Sequence, residues 1–114
     1  MYEFYKAAAM KTESTLRQNF KAELIIAINS SDSISKPFIE KLDKVLQGVS
    51  GFDRVTIDAL DYVGNASTIK SMGIPIPGLM LLRNGKTVDT MNGSGATVSS
   101  ISKFITNNRK FWAS

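Results

Sequence analysis

Residues 72–86, with the sequence MGIPIPGLMLLRNGK, carry the most specific structural signal of this chain. They predict a proline-bearing loop, an apolar strand over Leu79–Leu82, a turn at Asn84-Gly85 and a second strand over Lys86–Met91. Asn-Gly between two apolar runs indicates a hairpin, because both central residues of the favoured turn adopt positive φ. Ile76-Pro77 stands directly before the first strand, where a proline costs no hydrogen bond of the sheet interior. The segment therefore predicts an antiparallel hairpin that begins at a proline.

Hydrophobic patterning predicts the remaining elements. The apolar run Leu24–Ile28 predicts a central strand buried on both faces. Helices are predicted over residues 4–20, 35–47, 66–72 and 97–108, and a further strand over residues 54–60. The resulting order, α-β-α-β-α-β-β-α, is typical of an α/β domain with parallel crossovers and a terminal antiparallel hairpin.

Three of the predicted elements carry an apolar face. In the helix after the central strand it comprises Phe38, Leu42, Val45 and Leu46. In the last helix we expect Val98, Ile101, Phe104 and Ile105 to face inward. In the strand over residues 54–60 the alternating residues Val55, Ile57 and Ala59 share one face.

Length and composition indicate one ordinary globular domain over residues 1–114, with a helical extension over 1–21 and a tail over 109–114. The net charge of +4 comes from scattered basic residues, so we expect no nucleic-acid partner. The longest apolar run has five residues, and the first residues do not resemble a signal sequence. We therefore expect a cytoplasmic protein that does not bind membranes.

The chain contains neither cysteine nor histidine. Disulfides, thiolate nucleophiles, thiolate metal sites and imidazole bases are thereby removed from the available chemistry. Asp58 and Asp61 have the spacing of a metal pair in a loop, but on a strand and its exit their side chains diverge. We accordingly expect no metal, no cofactor and no enzymatic activity.

These features resemble the thioredoxin family over roughly residues 22–108. The resemblance rests on the central strand Leu24–Ile28 with its following helix, on Val55–Asp61, and most specifically on the stretch from Ile76-Pro77 through Asn84-Gly85. It implies a mixed sheet of four to five strands with helices on both faces, a cis peptide bond at Pro77 and, as an alternative, a first strand at Tyr2–Tyr5.

The sequence departs from this family where the redox chemistry would lie. The family's Cys-x-x-Cys falls on Asp32-Ser33-Ile34-Ser35, and the tryptophan before it falls on Ser31. The buried carboxylate that serves the thiols falls on Ile26, and its lysine partner on Ile57. The groups that would tune the thiols are thus absent together with the thiols, so the chain is similar to a natural, redox-inactive member.

What the resemblance leaves is a peptide groove. Its parts would be Ser31, Asp32, Ser33, Ile34 and Ser35, then Ile76 with Pro77, then the turn Gly93-Ser94-Gly95. Gly93 is favoured as the family's glycine by its spacing from Pro77, with Gly95 kept open. The resemblance implies a non-catalytic binding, assembly or chaperone-like factor whose partner is another protein or an extended peptide.

Several alternatives remain open from sequence. Asp32 is interpreted either as an N-cap or as a catalytic carboxylate. The N-cap is favoured, because no histidine or second carboxylate lies nearby in the sequence to act as its partner. Phe111 and Trp112 either pack against the domain or form a contact tail for a partner. The function could also be that of a redox protein with engineered cysteine replacements or of a self-associating structural subunit. A further alternative is a glutathione-binding relative that uses the Ile76-Pro77 backbone, for which Lys36 is the one charged residue in a suitable place.

Overall fold

The computed structural model describes residues 21–61 and 63–113. The helix predicted over residues 4–20 and the alternative strand Tyr2–Tyr5 lie outside the described residues. The described elements are β1 (Ala22–Ile28), α1 (Ser35–Leu46), β2 (Asp53–Asp58), α2 (Asn65–Met72), β3 (Gly78–Arg83), β4 (Lys86–Asn92), α3 (Val98–Asn107) and α4 (Arg109–Trp112). Within this part of the chain, the predicted alternation of strands and helices is confirmed.

The four strands form one mixed sheet with the order β2-β1-β3-β4. β2 runs parallel to β1, whereas β3 is antiparallel to β1 and to β4. Ala27 of β1 pairs with Gly78, and Gly78 pairs with Asn92. The ends of β1, β2 and β4 and the start of β3 therefore lie at one edge of the sheet, which we call the groove edge.

The predicted hairpin turn is present between β3 and β4. Asn84 and Gly85 have φ of 52° and 83°, which is the left-handed region that this turn requires. Asn84 also bonds to the residue before β1: its N–H donates to the Lys21 carbonyl at 2.7 Å, and its Oδ1 accepts from the Lys21 N–H at 2.9 Å. The turn thus holds the beginning of the central strand as well as its own hairpin.

Helices cover both faces of the sheet, and β1 is buried on both, as predicted. One face packs against α1, α3 and α4 in a cluster that contains Leu24, Ile26, Phe38, Leu42, Leu79, Leu81, Ile101, Phe104 and Trp112. The other packs against α2 in a cluster of Ile25, Ala27, Ile69, Ile74 and Met80. Alternate residues of β1 and β3 therefore serve opposite clusters.

One residue predicted to face the core is exposed instead. Val98 is 42% exposed because it is the first residue of α3, and the inward-facing residues of that helix begin one turn later at Ile101. The prediction was wrong at this position. In β2, Val55 is 37% exposed, whereas Ile57, two residues further along the strand, packs against the second cluster.

The predicted tail from residue 109 is partly helical and packs onto the domain. In α4 the Trp112 ring is buried, its Nε1 donates to the Ile105 carbonyl at 2.9 Å, and it meets Phe52 edge-on with centroids 5.3 Å apart. Phe111 is half-buried and also packs against the core. Of the two alternatives for this pair, packing is the observed one, and Trp112 is not available as a contact residue.

Candidate functional site

Four connecting segments meet at the groove edge. Three of them follow β1, β2 and β4, and the fourth precedes β3. They meet because parallel strands end at the same edge of a sheet, and an antiparallel strand begins at the edge where its neighbour ends. All ten residues predicted for the groove, Ser31–Ser35, Ile76, Pro77, Gly93, Ser94 and Gly95, lie on these segments or at the first residue of α1. The topology thereby brings the sequence-predicted site residues to one end of the molecule.

Asp32 caps the beginning of α1. Its Oδ1 accepts hydrogen bonds from the N–H groups of Ser35, at 2.7 Å, and Ile34, at 2.9 Å. The Ser35 bond is the main cause that holds the pKa of Asp32 below its usual range, helped by Ile34 and opposed by slight desolvation. The predicted N-cap position was wrong by two residues, because Ile34 is the residue directly before the helix. Asp32 nevertheless binds N–H groups at the start of α1 and has a structural role there.

The hydroxyl groups of Ser31 and Ser35 are engaged in structural hydrogen bonds. Ser35, at the place of the family's second cysteine, is 2% exposed, and its Oγ accepts from the Asn29 N–H at 3.0 Å. The Ser31 hydroxyl donates to Asn29 Oδ1 at 2.8 Å, and Ser31 N–H donates to the same oxygen at 3.0 Å. Ser33 and Ile34 are exposed at the groove edge. In this loop, two of the serine hydroxyls are therefore used to fix its conformation.

Asp58 ties the loop after β1 to the loop after β2. Its Oδ1 accepts from Leu60 N–H at 3.0 Å and from Ser30 N–H at 3.1 Å, and these bonds lower the pKa of Asp58. Its carbonyl accepts from Asn65 Nδ2 at 2.9 Å. Sequence reasoning weighed Asp58 only as a metal ligand and missed this bridging role, which depends on loops that are distant in the chain.

No metal site or membrane span is found in the part of the chain that the structure describes. Residues 21–61 and 63–113 contain no group of three acidic, cysteine or histidine side chains placed to hold a metal ion. Over the same residues, every helix is too short or too polar to cross a bilayer.

Ile76 and Pro77 form one side of the groove, which we call the proline wall, and a glycine holds it in place. The Ile76–Pro77 peptide bond is cis, and the carbonyl of the buried Pro77 accepts from Gly93 N–H at 2.7 Å. Gly93 is itself buried against the Phe38 ring of α1. Of the two candidate glycines, Gly93 therefore contacts the proline, whereas Gly95 is exposed with a φ of 74°.

The glycine turn is also attached to α1. Lys41 Nζ donates to the carbonyl of Ala96 at 3.0 Å, and Ala96 N–H donates to Gly93 O at 3.1 Å. Ser94 remains exposed, with its N–H donating to Asn92 Oδ1 at 2.9 Å. The third side of the groove is therefore held by α1 and by its own loop.

Apolar side chains are exposed around these fixed loops. Ile34 is 44%, Ile76 40% and Leu60 57% exposed, and Val63 is almost fully exposed. Leu60 and Val63 were not predicted as site residues. Their position in the sequence could have identified them, because both follow a strand that ends at the groove edge and lie in a segment otherwise rich in polar residues.

The positions that serve the thiols in the family carry no charge here. Ile26 is fully buried in one core cluster, and Ile57 packs against the other. Lys36, the residue singled out for glutathione, is exposed on the second residue of α1. The two positions that are charged in the family are therefore part of the apolar core in this chain.

Comparison with known proteins identifies the architecture. No family model matches the chain, and no curated protein does. Solved structures do match. Mitochondrial thioredoxin 3 from Saccharomyces cerevisiae has a TM-score of 0.63 at 14% identity, covering 93% of this chain and 88% of that one. Oxidised thioredoxin from Plasmodium falciparum gives 0.62 at 15%, covering 94% and 90%.

A third match is thioredoxin f2 from Chlamydomonas reinhardtii, with a TM-score of 0.61 at 15% identity over 94% of this chain and 87% of that one. At such identities the likeness shows the fold alone. The chain has a thioredoxin-like α/β fold, with a mixed sheet between two helical layers and no cysteine.

Proposed function

We propose that this protein binds an extended peptide segment of another protein in the groove between Ser31–Ser35, Ile76-Pro77 and Gly93–Gly95, and that it does so without dithiol chemistry. The observation that supports this most directly is the backbone of Ile76. Neither its N–H nor its carbonyl has a hydrogen-bond partner among the described residues, and its side chain is 40% exposed.

An unpaired backbone N–H and C=O on one residue can receive a peptide in the manner of an added strand. The position of Ile76 supports this use, because the next residue is held by the bond from Gly93 to Pro77. A rigid backbone loses little conformational freedom when a ligand binds, so more of the interaction energy remains as affinity.

The exposed side chains favour a particular ligand. Ile34, Leu60 and Ile76 are apolar and exposed at the groove edge. Two carboxylates of the same loops, Asp32 and Asp58, are engaged by backbone N–H groups. An extended peptide with apolar side chains at alternate positions complements this surface, because alternate residues of a strand point to the same side.

The proposed role is that of a binding or assembly factor, with a cytoplasmic location kept as a prediction. Its redox inactivity is part of the proposal and is supported by the chain's lack of cysteine. The hydrogen bonds of Asp32 and Ser35 support it further, because they give the former thiol positions a structural use.

The test begins with a phage-displayed library of random decapeptides selected on the wild-type protein. Binding of one selected peptide is then measured with wild type, Ile76→Asp and the matched control Val55→Asp, whose site is similarly exposed on another part of the sheet. We expect Ile76→Asp to weaken binding by about tenfold or more, which is about 1.4 kcal/mol, and Val55→Asp to leave it unchanged.

A second readout tests the strand-like mode. Each amide of the selected peptide is methylated in turn, and we expect loss of binding at one position only, because Ile76 offers a single carbonyl to accept a peptide N–H. Equal binding by folded Ile76→Asp and wild type, or a uniform response to methylation, would overturn the proposal.

A further inference from the structure

The loop from β4 to α3 forms the third side of the groove, and most of its hydrogen bonds are local. Ser94 N–H donates to Asn92 Oδ1 at 2.9 Å, and Ala96 N–H donates to the Gly93 carbonyl at 3.1 Å. A capping box at Thr97 begins α3 directly after the loop. Local bonds of this kind fix the shape of the loop, but they do not fix its place relative to the rest of the groove.

Two hydrogen bonds from distant parts of the described chain place this loop. Gly93 N–H donates to the Pro77 carbonyl at 2.7 Å, which joins the loop to the proline wall. Lys41 Nζ, on α1, donates to the Ala96 carbonyl at 3.0 Å across 55 residues of sequence. Over residues 21–61 and 63–113, no other side chain from outside the loop and α3 forms a hydrogen bond with the loop. The sheet therefore holds its first residue, and Lys41 holds it near its end.

The surroundings of the Lys41 ammonium group favour a role in positioning the loop over a role in stabilising α3. Ala96 is 7% exposed and directly precedes Thr97, the N-cap of α3. Because the N-terminal end of a helix carries a partial positive charge, the dipole of α3 opposes a cation at this place. The hydrogen bond from a charged donor compensates for that opposition. We therefore expect the net effect of Lys41 on global stability to be small.

We propose that Lys41 is a positioning residue for the peptide groove. By holding the Ala96 carbonyl, its ammonium group keeps the turn Gly93–Gly95 in the place relative to Ile76 that an extended peptide requires. A turn that is already in place loses less conformational freedom when the peptide binds, so the affinity is higher. This role rests on the proposed function, because it concerns the same groove, and it adds a residue of α1 that acts on the peptide through the turn.

The test uses the full chain and the peptide selected on the wild type. Lys41→Met keeps the length of the side chain but removes its charge and its donors, whereas Lys41→Arg keeps both. The matched control is Lys44→Met, at an exposed lysine in the last turn of the same helix. We expect Lys41→Met to weaken binding by about fivefold, which corresponds to the loss of one hydrogen bond. Lys41→Arg and Lys44→Met should bind within about twofold of wild type.

Further readouts separate positioning from a structural or electrostatic role. The urea midpoint of Lys41→Met should equal that of wild type, because the lost bond and the relieved helix dipole offset each other. The loss of affinity should persist at about 0.5 M salt, which screens an attraction between separated exposed charges. In the free protein, hydrogen exchange at the Gly93 and Ala96 amides should become several-fold faster in Lys41→Met. Exchange at the Ile101 amide, inside α3, should stay unchanged.

Equal peptide binding by Lys41→Met and wild type overturns the proposal, whereas the proposed function still stands if Ile76→Asp weakens binding. Unchanged exchange at the Gly93 and Ala96 amides also overturns it, and this measurement requires no peptide. A urea midpoint of Lys41→Met well below wild type would indicate a structural role and contradict the proposal.

A loss of affinity in Lys44→Met as large as in Lys41→Met, or a loss that disappears in salt, would indicate a general effect of charge and overturn the proposal. An equal loss in Lys41→Arg would do the same, because this variant keeps a charged donor. If Ile76→Asp binds like wild type, the proposed function fails and the positioning role fails with it.

Discussion

Gly93 lies flat against the ring of Phe38, so closely that a Cβ atom at position 93 would be 2.8 Å from Cε1 of the ring. Phe38 is buried and cannot rotate away freely. Since Gly93 also donates to Pro77 O, the same residue joins α1 to the proline wall.

Gly93→Ala should therefore destabilise the protein by about 1–3 kcal/mol, the usual cost of overpacking a core. The measurement is urea unfolding followed by the fluorescence of the single tryptophan, Trp112. Ser94→Ala, at the exposed neighbouring position, should change stability by less than about 0.5 kcal/mol. Equal stability of Gly93→Ala and wild type would show that the Phe38 ring moves aside at little energetic cost.

Trp112 anchors α4 to the domain through its ring and its Nε1 bond to Ile105. Trp112→Ala should cost about 3–5 kcal/mol, because it leaves a large cavity and removes the indole hydrogen bond to the Ile105 carbonyl. Thermal unfolding by circular dichroism checks this without the tryptophan signal. The half-buried Phe111 provides the comparison, and Phe111→Ala should cost clearly less. Similar losses for both would contradict the packing described for α4.

The cap formed by Asp32 should make part of the stability depend on pH. Because the folded pKa is lowered, this contribution is present above the unfolded value of about 3.9 and disappears as the pH falls through the folded value. Asp32→Ala should be less stable than wild type at neutral pH, and the difference should shrink towards about pH 2.

Urea midpoints of both proteins across this range give the measurement, with Asp61→Ala as an exposed carboxylate control. A difference that stays constant from neutral to acidic pH would show that the charge of Asp32 does not contribute.

The bridge made by Asp58 should protect specific amides from hydrogen exchange. Asp58→Ala removes the acceptor of Ser30 and Leu60 N–H, so exchange at these two amides should become several-fold faster. Asp43→Ala, which removes only a surface partner of Arg54, should leave them unchanged. If Ser30 and Leu60 exchange equally in Asp58→Ala and wild type, the two loops are held by other contacts.

Redox inactivity is checked in an insulin-turbidity assay with dithiothreitol. We expect no acceleration above buffer, because the chain has no thiol to form a mixed disulfide. A thioredoxin at equal concentration serves as the positive control. Turnover clearly above the buffer rate would contradict the non-redox assignment.

Local rules predicted much of this fold. The turn at Asn84-Gly85 follows from the positive φ values that few other residues adopt. The buried stripe of α1 follows from helical periodicity, and Phe38, Leu42 and Leu46 are buried as expected. β1 is apolar at consecutive positions because both its faces are covered.

What could not be predicted depends on neighbours distant in the sequence. Val55 has the alternation of a half-buried strand, but how far its side chain is covered depends on the elements that pack around β2 and not on the pattern of the strand itself. Trp112 is buried because Gly51, with a φ of 124°, leaves room for it next to Phe52. In the site, the bridging bonds of Asp58 likewise depend on two loops that sequence spacing does not bring together.

The central position of β1 also governs the order in which the chain can fold. During synthesis, β1 gains its parallel neighbour β2 first, whereas β3 and the bond between Lys21 and Asn84, 63 residues apart, form only later. Until then the most apolar strand has one open side, which is a hazard for aggregation on the ribosome. We therefore expect nascent chains that stop before β3 to require a chaperone. Once the complete β3–β4 hairpin has left the ribosome, the chain should no longer require one.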